Sequence, residues 1–134
     1  MAESLHHVHI FARDIDATIA WWRDMLGGEL VYDGVLAGSR NVFMRIGSGG
    51  LHLYDQPPRD TGRGAVHHIG IRSDDLRALV GRLKAAGVPF RSDIREFGTW
   101  RYIMCAAPDD VLLELFEFDP DHEPVEATRW LRGE

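Results

Sequence analysis

Leu5-His6-His7-Val8-His9-Ile10 lies near the start of the chain, and Val66-His67-His68-Ile69-Gly70-Ile71 follows 61 residues later. Each stretch alternates apolar and polar positions, the pattern of a half-buried strand. In the first copy His7, His9 and Phe11 share one face, and His6, Val8 and Ile10 the other. In the second, Ile69 and Ile71 share a face opposite His68, Gly70 and Arg72. The histidines in equivalent places are therefore His7 and His68, with His6 and His67 on the opposite parity.

The same landmarks recur downstream of both copies. After the strand candidate at residues 5–11, Asp14 or Asp16 can cap a helix. Ile15, Ile19, Trp22, Met25 and Leu26 continue at helical spacing until Gly27-Gly28. Strand candidates follow at 29–32, 41–46 and 51–54, with Gly34, Gly38 and residues 47–50 as turns. The second half has a strand at 66–72 and a helix capped by Asp74-Asp75, with Leu76, Leu79, Val80, Leu83 and Ala86 on its apolar face. Gly87 and Pro89 stop that helix, and strands at 89–92, 101–105 and 111–118 complete it. Both halves read β-α-β-β-β. Asp75-Leu76 lies 61 residues after Asp14-Ile15, and Leu113-Glu114-Leu115-Phe116 lies 62 after Leu51-His52-Leu53-Tyr54. The expected architecture is α+β. It is a single domain over 1–134, with units at about 5–55 and 65–118, a Pro/Gly-rich linker at 55–64 and a tail at 119–134. A polar break at 119–124 precedes a short terminal helix at 125–132.

Composition bounds the function. The 134 residues suffice for a core without staples. A net charge of −6 argues against nucleic-acid or anionic-membrane partners, which need basic patches. No apolar run approaches a membrane span, and no signal peptide is visible. The single cysteine, Cys105, cannot form an intrachain disulfide and reads as a small core residue. The expectation is a cytoplasmic protein acting on a small molecule. No phosphate-binding loop or nucleotide fingerprint is present.

The repeat also pairs chemistry-bearing residues. The first strands offer His7 and His68, and the last strands offer His52 and Glu114. If the two units face each other, three imidazoles and one carboxylate can converge on one divalent metal: Zn, Ni, Mn, Co or Fe(II). Glu114, flanked by Leu113, Leu115 and Phe116, would be costly to bury without such a partner. His9 shares the face of His7 and is a candidate acid/base group. His122 falls in the tail and reads as solvated.

The sequence resembles the vicinal oxygen chelate superfamily, which includes glyoxalase I, methylmalonyl-CoA epimerase, fosfomycin resistance enzymes, bleomycin resistance proteins and extradiol dioxygenases. The resemblance covers about residues 5–118. It rests on His7-Val8-His9-Ile10 with Asp14-Ile15, on His68-Ile69-Gly70-Ile71 with Asp75-Leu76, and on Leu112-Leu113-Glu114-Leu115. It implies paired βαβββ units forming a curved mixed-sheet cup around one metal, with helices on the outer face. The implied ligands are His7, His52, His68 and Glu114, and the implied assembly is a homodimer. Two positions depart from the family pattern. Glyoxalases and epimerases usually carry Glu or Gln where this chain has His52. The turn before the last strand, usually Asp-Pro-x-Gly, is Ala107-Pro108-Asp109-Asp110.

The resemblance implies a divalent-metal-dependent lyase or isomerase of glyoxalase or epimerase type, working through an enolate-like intermediate. Glu114, His9 and His52 would be its catalytic groups. One alternative is a non-haem Fe(II) extradiol-type dioxygenase using His7, His68 and Glu114. Another is a non-catalytic drug-binding protein with an aromatic ligand among Trp100, Tyr54, Phe116 and Phe118. Tyr54, Arg72, Trp100, Arg101 and Tyr102 are the candidate substrate contacts.

Overall fold

The first apolar run becomes β1 (His7–Phe11), and Asp14 then caps α1 (Ile15–Leu26) by accepting the Ala17 N–H at 3.1 Å. Helix α1 buries Ile15, Thr18, Ile19 and Trp22. It ends where Gly27 takes a left-handed φ of 69° and donates its N–H to the Arg23 carbonyl. Three antiparallel strands follow: β2 (Glu29–Leu36), β3 (Ser39–Ile46) and β4 (Gly49–Tyr54). β4 returns beside β1 in parallel, giving the sheet order β1-β4-β3-β2. The computed structural model describes residues 3–60, 64–98, 100–119 and 130. The expected terminal helix and His122 lie outside the described residues, apart from Trp130.

The second half repeats the order. It comprises β5 (Ile69–Arg72), α2 (Leu76–Ala85), β6 (Arg95–Phe97), β7 (Trp100–Ala107) and β8 (Val111–Phe118), with sheet order β5-β8-β7-β6. Asp75 caps α2 through the Ala78 N–H at 3.0 Å. The fold is thus α+β: two βαβββ motifs, each with a four-stranded mixed sheet and one helix. The chain divides into two compact units, Met1–Ala65 with Ala107–Asp110, and Val66–Ala106 with Val111–Glu134.

Several sequence expectations are corrected. β2 runs through Gly34, which is not a turn. The Tyr32 ring lies where a Cβ at Gly34 would sit. The expected turn at Gly38 is present, as Ala37-Gly38, both at positive φ, the geometry that suits a two-residue hairpin. The strand expected at 89–92 is absent, because Pro89 has no N–H for a ladder. Its place is taken by β6, paired antiparallel as Arg95↔Tyr102 and Phe97↔Trp100. β1 starts at His7 and β5 at Ile69, so His6, His67 and His68 precede the ladders. Val8, which shares the face of Ile10, is 39% exposed, while Ile10 is buried.

The last strands carry the core. Leu51, Leu53, Leu113 and Leu115 are buried, the last three completely. Cys105 is buried as expected, and burial pushes its thiol up to about 11, so it stays protonated and inert. The turn into β8 is strained. Asp109 and Asp110 both sit at left-handed φ, 61° and 59°. The Asp109 carboxylate accepts the Arg13 backbone N–H at 3.1 Å and its guanidinium Nε–H at 3.4 Å, so it also braces the exit from β1. Asp110 stands where the family pattern has glycine. Replacing Asp110 with Gly is expected to raise unfolding free energy by about 0.5 kcal/mol, and Asp110→Val to lower it by more than about 1 kcal/mol. Urea denaturation of the three proteins checks this. A valine variant as stable as the glycine variant would contradict the left-handed geometry.

Candidate metal centre

In the first unit one face of the sheet is lined by rings. Register places Tyr32 beside Phe43, Phe43 beside His52, and His52 beside His9, one residue from each of the four strands. The ring centroids along this row are 5.4, 4.9 and 4.3 Å apart. His7 lies 5.7 Å from His52, and Tyr54 lies 5.5 Å from His9. An open cavity of about 810 Å³ reaches the row at Phe43 and His52, with His7, Arg45 and Leu5 also in its wall.

Burial lowers the pKa of two imidazoles on this face. Partial burial, and then the neighbouring His7, hold the pKa of His9 below the usual imidazole value. Burial, then His9 and His7, do the same to His52. Neutral imidazoles have a lone pair to offer a metal or a proton.

Asn41 decides which lone pair His52 offers. It is buried, and its Nδ2 donates to the carbonyls of Leu36 at 3.2 Å and Ser39 at 2.9 Å. Carbonyls only accept, so the amide orientation is fixed and Oδ1 faces His52 Nε2 at 2.6 Å. His52 must then donate from Nε2, which leaves the Nδ1 lone pair free.

In the second unit Nε2 of His68 lies 3.1 Å from Oε2 of Glu114, and both side chains are mostly buried. Glu114 pairs in register with Gly70, whose lack of a side chain leaves room beside Phe116. Trp100 stacks on Phe116 at 4.8 Å with planes 10° apart. Arg72 lies over the Phe118 ring at 4.9 Å and is 3.5 Å from Asp74.

The candidate ligands thus stand as two pairs: His7 with His52 in one unit, His68 with Glu114 in the other. Among the described residues, no three His, Cys, Asp or Glu side chains are grouped as a ready metal site. Each pair by its donor chemistry still suits a borderline divalent cation, with neutral imidazole at His52 and imidazole beside carboxylate at His68. Of the candidate substrate contacts, Arg101 is already engaged. Its Nε–H donates to Glu117 Oε2 at 2.7 Å, and Glu117 Oε1 accepts the N–H of Leu76 at the start of α2. Arg101 therefore ties β7 and β8 to α2. Tyr102 sits opposite Arg95 in the β6–β7 pair.

Reading the sequence by parity missed Asn41, Tyr32 and Phe43. Counting outward from the Gly47-Ser48 turn would have placed Phe43 opposite His52 and Asn41 opposite Tyr54.

The sequence matches the model of the Glyoxalase/Bleomycin resistance protein/Dioxygenase superfamily over residues 4–115. A search of curated proteins gives no match. Among solved structures, the genomically encoded fosfomycin resistance protein FosX from Listeria monocytogenes is similar at TM-score 0.75 and 20% identity, over 96% of this chain and 99% of that one. A FosX mutant from the same organism, complexed with Mn(II) and 1S,2S-dihydroxypropylphosphonic acid, is similar at 0.74 and 21%, over 89% and 95%. TnmS3, an antibiotic binding protein from Streptomyces sp. CB03234, is similar at 0.74 and 21%, over 89% and 99%. With its paired βαβββ motifs and a family match over most of its length, the chain belongs to the Glyoxalase/Bleomycin resistance protein/Dioxygenase superfamily.

Proposed function

We propose that this protein is a divalent-metal-dependent enzyme acting on a small oxygen-chelating substrate, with lyase or isomerase chemistry of the glyoxalase or epimerase type. His7, His52, His68 and Glu114 would hold the metal, His52 through Nδ1. The pairs would come together within one chain or from two copies. The observation that carries this reading is the pairing of His68 with Glu114 in one unit and of neutral His52 with His7 in the other. Mn(II) in the FosX complex supports a divalent ion on this fold. When bound, such an ion would act as a Lewis acid on the substrate oxygens and make the adjacent C–H more acidic.

The chain's own residues would supply the rest. His9, with its pKa held low beside His52, would be a base for a proton on substrate carbon, a role that its lowered pKa supports. Glu114, paired with His68, would be the other base on leaving the metal, and the group that takes the proton would return it to the neighbouring atom. Half-exposed Tyr54 and Phe43 would keep water away from the reacting carbon. The row of rings favours a second reading, in which the ligand is a planar aromatic. A catechol cleaved by an Fe(II) dioxygenase, or an aromatic drug held without reaction as in the likeness to TnmS3, would lie along that row. β2 lies at the sheet edge and exposes Leu30, Val31, Tyr32, Val35 and Leu36, which supports a homodimer.

Three outcomes follow from this reading. Chelator-treated protein should bind one equivalent of Mn(II), Zn(II) or Ni(II), and Glu114→Gln or His68→Ala should weaken that binding by more than about 100-fold. Calorimetric titration measures it, and unchanged affinity in both variants would remove the metal assignment. Loaded protein should exchange the α-proton of a thioester or hemithioacetal from a panel into deuterated water, and His9→Ala should slow this by about 100-fold or more without loss of metal. Oxygen uptake with a catechol by Fe(II)-loaded protein, and no exchange, would favour the dioxygenase. Sedimentation should report a dimer that Val35→Lys shifts towards monomer, and a monomeric native protein would refute the dimer.

A further inference from the structure

The doubled histidines of the repeat have a geometry of their own. Nδ1 of His6 lies 3.0 Å from Nδ1 of His7, and Nδ1 of His67 lies 2.8 Å from Nδ1 of His68. The rings cross nearly at right angles, 88° in the first pair and 82° in the second, with centroids 5.2 and 5.1 Å apart. Neighbours within a ladder point to opposite faces. Both pairs escape that rule because His6 and His67 precede the strands, where the backbone is free to turn their rings back.

Two ring nitrogens at this distance share one hydrogen, so one Nδ1 donates and the other accepts. In each pair the contact occupies Nδ1 and leaves Nε2 of His7 and of His68 outside it. In His68 that outer nitrogen is the one facing Glu114. We propose that His6 and His67 are positioning residues for a metal site. Each accepts the Nδ1–H of the histidine after it, and so fixes the ring and tautomer in which Nε2 of His7 or His68 is the donor to a divalent cation. This rests on the metal reading above and adds a role that reading does not assign. Asn41 performs the same task for His52 with the two ring nitrogens exchanged. With an ion bound, each imidazole of the candidate set would have one nitrogen held by a neighbouring histidine or amide and the other for the ion, His68 Nε2 and Glu114 exchanging their present contact for ligation of it; such an arrangement orients the ring and raises its basicity.

The test uses the full chain with ¹⁵N-labelled histidine and Zn(II) as the probe. Long-range ¹H–¹⁵N spectra of the loaded protein should show His7 and His68 protonated at Nδ1 and zinc-shifted at Nε2, with His52 showing the reverse. Zinc affinity, measured by competition with a chromophoric chelator, should fall about 10–100-fold in His6→Ala, His67→Ala and Asn41→Leu. It should stay close to the native value in His6→Asn and His67→Asn, whose side-chain oxygen can accept in place of Nδ1. Protonation at Nε2 of His7 and His68, zinc shifts on His6 or His67 themselves, or alanine variants that bind as the native protein does would each overturn the proposal. If His7→Ala and His68→Ala also bind zinc unchanged, the metal reading itself fails. If those two lose zinc while His6→Ala and His67→Ala do not, only the positioning role fails.

Discussion

The parallel pairing of first and last strands within each unit is the constraint on which the candidate site depends. β1 pairs with β4, and β5 with β8. The register is held by leucines. Leu51 and Leu53 in β4, and Leu113 and Leu115 in β8, point into the core. A slip of one residue would turn them to the open face and drive His52 and Tyr54, or Glu114 and Phe116, into apolar packing. Burial of those four side chains is worth about 1.5–3 kcal/mol each, so the slipped register is strongly disfavoured. The same leucines thus fix His52 near His7 and Glu114 against His68. Parallel strands need a long crossover, and α1 and α2 provide it with capped, apolar-faced helices.

The polar groups around the site fit a working surface more than a stabilising one. Partial burial, and then the neighbouring imidazoles, lower the pKa of His9 and His52. Asn41 is a buried polar side chain whose three hydrogen bonds are all satisfied, which allows it to orient a ring at small cost to the core. By contrast, Arg101 and Glu117 spend their charges on joining β7 and β8 to α2. Their role is to hold the second sheet against its helix.

Much of this was legible in the sequence because the chain repeats itself. Two copies of one pattern fixed the element order, the two caps at Asp14 and Asp75, and the inward residues of β4 and β8. The repeat put His68 and Glu114 in one candidate set but not as a pair; their contact lies within the second unit, with His68 just before its ladder. Details that depend on local backbone geometry were hidden. Parity assigned His6 and His67 to the far face, yet parity applies only inside a ladder, and both residues precede theirs. Gly34 read as a turn because glycine marks turns in general, whereas here it makes room for a tyrosine ring. Asn41 carried no signal of its own, since its importance comes from two carbonyls in the β2–β3 hairpin that orient it.

The central proposal is that His7, His52, His68 and Glu114 are ligands of a divalent ion. X-ray absorption at the metal edge of protein loaded with one equivalent of Mn(II) or Zn(II) tests it most directly. The account predicts a first shell of three imidazole nitrogens with oxygen donors at about 2.0–2.2 Å. It also predicts that the imidazole scattering diminishes when His52 or His68 is replaced by alanine. A shell of oxygens with one imidazole or none, unchanged by either replacement, would contradict it.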